Sequence, residues 1–186
     1  MLIAEQKKKE NIAEYILYMW QMEDLIRGSE LKLDSVMKKV FPDADSGDEV
    51  VLEYRAWFAG IIDEMERDGL QSQGHLETVR KHIQRLSELH QSLITVYQDQ
   101  EYIELYKKSA EDIHVLKNKS GSEKLSEVEV CLTGLYGLLL LRIQKAEISS
   151  DTIKAMNRIS KAMAYLSEAF KKRENGELGL SPERSN

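Results

Sequence analysis

Two prolines and ten glycines among 186 residues leave this chain little that would interrupt a helix. Proline removes a backbone donor and glycine loosens the backbone, so their scarcity leaves long stretches over which one helical period can run. Apolar residues fill those stretches at that period. Over 5–27, Ile12, Tyr15, Met19, Met22 and Ile26 recur at helical spacing, and Ala13, Leu17 and Trp20 form a second apolar line. A helix apolar on two faces is either central to its fold or carries a partner interface besides a core face.

The same reading continues along the chain. Asp34 is placed to cap a short helix over 34–41, with Val36, Met37 and Val40 on its apolar side, and 42–47 reads as a loop. A helix over 48–68 buries Val50, Tyr54, Trp57 or Phe58, Ile61 and Met65 and ends at Gly69. Over 74–96, Leu76, Val79, Ile83, Leu86, His90 and Leu93 alternate three and four apart, a heptad seam with a histidine in it. Over 99–117, Tyr102, Tyr106, Ser109, Ile113 and Leu116 face inward, and 118–121 closes the helix.

The most apolar segment, 122–146, has Val128, Leu132, Leu135, Tyr136, Leu138, Leu139 and Ile143 as its core. Gly134 and Gly137 lie in its interior. Each costs a helix ~1 kcal/mol relative to alanine, which close approach of another backbone would offset. Ser149 or Ser150 caps a last helix with Ile153, Met156, Ile159, Met163, Leu166 and Phe170 as its seam, and Gly176 lies past its end. No segment alternates as a strand does. The expected fold is an all-α, single-domain bundle over 1–173, with six main helices and one short one. The helices over 5–27 and 122–146, the two most apolar, form its centre, and 174–186 is a frayed tail.

Charge and cysteine content narrow the function classes. A net charge of −6 disfavours a nucleic-acid surface, which needs a basic excess. Lys7, Lys8 and Lys9 sit between Glu5 and Glu10 and read as a solvated helix start. The longest apolar run, 135–141, falls far short of the ~20 residues that cross a bilayer. Residues 1–11 lack the apolar core of a leader, so the expected location is the cytoplasm, away from the membrane. Cys131 stands alone, which excludes an intrachain disulfide and a thiolate metal cluster.

Few residues carry a chemical pattern. A di-metal bundle site needs two Glu-x-x-His pairs, and Glu111 with His114 is one without a second. Glu101 with Glu104 and Glu10 with Glu14 lack the matching acids a magnesium site requires, and solvated faces explain them. His75 and His82 are seven apart; His90 reads as a core histidine with one partner. No metal or cofactor is expected. Glu23, Asp24 and Arg27 are the most unusual polar group: Glu23 and Arg27 have ion-pair spacing, and Asp24 shares the line of Ala13, Leu17 and Trp20. Arg142 lies in line with Cys131, Leu135 and Leu138, so it must snorkel or meet a carboxylate, with Glu23 or Asp24 the leading partners. The ordinary reading is an ion-pair network that fixes helix register. The functional one is a polar pocket for a small anion or metabolite, lined by Glu14, Glu23, Asp24, Arg27, His75 and Arg142.

The block 1–7 and the run 11–27 (NIAEYILYMWQMEDLIR) resemble a domain-of-unknown-function family of Bacteroidetes. So do Gly74-His75-Leu76 and the segment from Glu129 through Leu135-Tyr136-Gly137 and Leu141-Arg142 to Ser149. The likeness covers about 1–170 and implies an all-helical, cytosolic bacterial protein, with no activity, cofactor or site residue to carry over. The leading function is then a non-enzymatic helical interaction protein that self-associates, with Leu17 or Trp20 near a homodimer interface. A small-molecule or anion-binding protein is the alternative, and an enzyme of unidentified class comes third.

Overall fold

The computed structural model describes residues 2–43, 47–119 and 124–178, and these contain helices and no strand. The helices are α1 (Ile3–Glu10), α2 (Ile12–Arg27), α3 (Leu33–Val40), α4 (Glu49–Arg67), α5 (Glu77–Thr95), α6 (Gln100–Lys119), α7 (Glu127–Ile143) and α8 (Ser150–Glu174). The fold is therefore the all-helical one expected, with one helix more.

The extra helix arises at Asn11, where the single helix expected over 5–27 divides. The Asn11 side chain accepts a hydrogen bond from the Ala13 amide at 3.0 Å, so it caps a new helix instead of continuing the old one. Other ends depend on similar details. Asp34 does not cap α3; it sits in the first turn and pairs with Arg55 at 2.6 Å. Asp48 caps α4, and Gly69, at φ +71, follows its end. Gly74 has φ +91, so the chain turns there and α5 begins only at Glu77. The cap of α7 is Ser126, whose hydroxyl accepts from the Glu129 amide at 3.2 Å, so this helix starts later than 122. Ser149 caps α8. Residues 120–123 and 179–186, parts of expected helix ends and of the expected tail, lie outside the described residues.

The chain forms two compact units, Met1–Lys8 with Glu14–Lys81 and Lys9–Ala13 with His82–Asn186. In the first, α3 packs on α4. Phe58, Ile61, Ile62 and Met65 bury the inner face of α4, whereas Val50, expected there, is exposed. Tyr54 meets Phe41 edge-on at 5.2 Å, and its hydroxyl accepts from the Ile3 amide at 3.3 Å. In the second unit α6, α7 and α8 pack on one another. The α5 seam is buried there from Ile83 through Leu93, His90 included. Arg85 and Arg173 each lie 5.2 Å from the centre of the Phe170 ring, and Arg85 also pairs with Glu174. The two most apolar helices, α2 and α7, fall largely in different units.

Candidate functional site

Glu23 is the one acidic side chain among the described residues that is buried completely. Taking a carboxylate out of water costs several kcal/mol, so its surroundings must answer its charge and its lone pairs. They do so from a segment far along the chain. His75 Nδ1–H donates to Glu23 Oε2 at 2.6 Å, and the Leu76 amide donates to Oε1 at 3.0 Å. Arg27, one turn along α2, places Nη2 3.9 Å from Oε2. The carboxylate thus satisfies the backbone just ahead of α5, in place of the local cap that Gly74-His75-Leu76 lacks.

Arg27 extends the same tie. Its Nε donates to the Leu70 carbonyl at 3.1 Å, its Nη2 to the Gly74 carbonyl, and its Nη1 to Asp24 at 2.8 Å. Trp20, one turn before Glu23 on α2, lies flat against His75, ring centres 4.6 Å apart and planes 20° from parallel. One carboxylate, one guanidinium and one indole on α2 therefore fix the segment 70–76, all within the first unit.

The structure brings together four of the six candidate ligand residues: Glu23, Asp24, Arg27 and His75. Glu14 is not among them; it is exposed and pairs with Lys7 at 2.9 Å. Arg142 is exposed in the last turn of α7, so it is not the buried charge expected and needs no buried carboxylate. Asp24, expected on an apolar line, is exposed beside Arg27. Of the two interface candidates, Leu17 is half-buried and Trp20 is buried under His75, which removes Trp20 from any surface. His75 precedes α5 and so shares no helical face with His82.

A second polar group surrounds His90 in the second unit. Its Nδ1 lies 2.6 Å from the Tyr102 hydroxyl and its Nε2 3.4 Å from Glu127. Burial pushes the imidazole below its ordinary value against the opposing pull of Glu127. Burial, with Glu127 adding to it, pushes Tyr106 and Cys131 up to about 12 each. The thiol is therefore neutral and inert at physiological pH. Tyr102 stacks on Tyr165, whose hydroxyl donates to Asp99 at 2.8 Å. Periodicity places His90, Tyr102 and Tyr106 inward. It gives no sign of Glu127, because nothing in the sequence links a helix-start acid to a histidine 37 positions earlier. Glu111 and His114 are both exposed, and His114 pairs with Asn118. Among the described residues no three His, Cys, Asp or Glu side chains come together as metal ligands.

The third feature is apolar. A groove of about 260 Å³ lies between α6, α7 and α8, with Leu116, Gly134, Gly137, Leu138, Leu141 and Met156 among its walls. Its two threonines are already engaged: Thr133 donates to the Glu129 carbonyl and Thr152 meets Ser149. Leu141 of that wall is exposed, as are its chain neighbours Leu140 and Ile143, Ile143 by 60%. Ile143, expected in the core, is thus a surface residue. A Cβ on Gly134 would meet the Leu116 side chain at 2.9 Å, so the close approach expected there is made by a side chain; at Gly137 nothing lies within 4 Å.

No curated protein and no solved structure matches the chain. A family model does: residues 1–177 match one described as a domain of unknown function (DUF4924).

Proposed function

The chain belongs to that family, DUF4924, and we propose that it is a helical interaction protein that pairs with a second copy of itself, and not an enzyme. The observation that carries this reading is the apolar end of α7. Leu140, Leu141 and Ile143 lie open on a helix whose earlier residues, Val128 to Leu132, are buried apart from Glu129. At 36%, 38% and 60% exposure these three side chains forgo part of the ~1.5–3 kcal/mol that each contributes on full burial.

A second copy is the occupant that suits this surface. Leu141 lines the groove and is itself exposed, so a two-fold axis beside α7 would set this face of each copy against that of the other. Aliphatic residues with few charges at the centre and polar residues at the rim are the usual make-up of such a contact. Arg142 and Lys145 are placed to form that rim. The contact is accordingly on α7 and not on α2, where Trp20 is covered. The expected setting is the cytoplasm, in keeping with a lone, buried thiol.

Light scattering at tens of micromolar tests the reading. The expected mass is twice the chain's 21.4 kDa, falling to one copy in Leu141→Asp with an unchanged circular dichroism spectrum. A monomeric mass for the unaltered chain, or a dimer untouched by Leu141→Asp, would overturn it. A groove that instead takes a small apolar molecule would give the first of these results.

A further inference from the structure

We propose that His75 is a phosphoryl-acceptor histidine, with Nε2 as the nucleophile and a phosphorus–nitrogen compound, such as a phosphoramidate or a partner's phosphohistidine, as the donor. The geometry that points to this is the asymmetry of the ring's two nitrogens. Nδ1 is held 2.6 Å from the buried Glu23 carboxylate, an acceptor, so it carries the proton and the lone pair lies on Nε2. Nε2 makes no hydrogen bond to the described protein and is not buried, and the side chain is 34% exposed. Stacking on Trp20 stops the ring from turning, so the nucleophilic nitrogen keeps one direction.

The step balances with these groups alone. The Nε2 lone pair attacks phosphorus; the new N–P bond forms as the donor's P–N bond breaks. The released electron pair leaves on the donor nitrogen, which takes a proton from water. The ring is left as a cation that still carries its Nδ1 proton, and the Glu23 carboxylate faces that charge at hydrogen-bond distance. Asp24, the exposed acid next to Glu23 on α2, is engaged by Arg27 at 2.8 Å, which lessens its repulsion of an incoming anion. The other three histidines lack the combination. His90 is buried with both nitrogens facing partners, Tyr102 and Glu127. His82 is half-buried against Phe170, and His114 is exposed with Nε2 on Asn118 and no carboxylate on its ring. A group presented on another protein needs no cavity beside the acceptor, only an imidazole it can reach.

The test treats the full chain with potassium phosphoramidate, follows it by phosphorus NMR and locates the product by peptide mass spectrometry. His75 should be modified at Nε2 roughly tenfold or more faster than His114, the exposed histidine without a carboxylate. Glu23→Gln should slow His75 by about 10–100-fold and leave His114 unchanged. Nitrogen NMR should find the proton of neutral His75 on Nδ1. Modification of His75 no faster than His114, attachment at Nδ1, or a proton residing on Nε2 would each overturn the proposal. The comparison of His75 with His114 within the unaltered chain needs no variant, so it decides the matter even where Glu23→Gln fails to fold.

Discussion

A single residue, Glu23, shows how far local spacing reaches. Its pairing with Arg27 is legible, because four residues along a helix bring two side chains together. Its stronger partner, His75, is 52 positions away and is not, since no local rule joins α2 to the start of α5. Arg142 shows the same limit from the other side: an apolar line implies burial, yet the end of α7 is open. Glu23 also sets the largest expected residue effect. Glu23→Ala strands the Leu76 amide, His75 and Arg27 around a void, which should cost ~3–5 kcal/mol. For a chain of this size that lowers the melting temperature by roughly 10 °C. A loss within error of zero would mean that the tie to residues 70–76 adds nothing to stability. His90 gives the second residue-scale expectation. Above the ordinary imidazole value of 6.5 both folded and unfolded chains are neutral at this position, so it contributes no pH dependence. Below that value the unfolded chain takes up a proton that the buried imidazole resists, so stability falls as pH falls. Denaturant midpoints taken at falling pH should drop more steeply for the unaltered chain than for His90→Gln; parallel curves would contradict the burial argument.

At the scale of elements, periodicity locates the helices because each buries one continuous face, and it misplaces their ends because ends depend on single hydrogen bonds. Asn11 could continue a helix or cap one, and Ser122 competes with Ser126 as the start of α7. In both cases the structure puts the boundary where a side-chain oxygen meets a free amide, at Ala13 and at Glu129. The two glycines of α7 are legible as a cost but not as separate cases. Gly134 faces the Leu116 side chain, while Gly137 opens on the groove, where an added methyl group would meet nothing within 4 Å. Gly137→Ala should therefore gain helix propensity unopposed and raise stability by up to ~1 kcal/mol. Gly134→Ala must first displace a leucine methyl and should gain less. Chemical denaturation of the two variants ranks them, and a destabilised Gly137→Ala would show that the groove floor is occupied in solution.

For the whole molecule, the all-helical class is legible in the paucity of breakers and the unbroken helical period. The division into two compact units is not, because both units are built from the same apolar spacing and the breaks fall inside α1, α2 and α5 instead of at linkers. The site proposed for self-association is likewise out of reach. The sequence marks both α2 and α7 as apolar, and only the fold tells which one keeps aliphatic residues exposed. That difference yields a thermodynamic expectation. If two copies pair through α7, folding and association are linked, and the melting temperature must rise with protein concentration. Ile143→Asp should abolish the rise. It should also leave the melting temperature of the dilute protein nearly unchanged, because Ile143 is 60% exposed and replacing a surface side chain usually alters stability by no more than ~0.5 kcal/mol. A variant that melted lower at every concentration, with the concentration dependence intact, would place Ile143 in the fold of one copy and move the contact elsewhere.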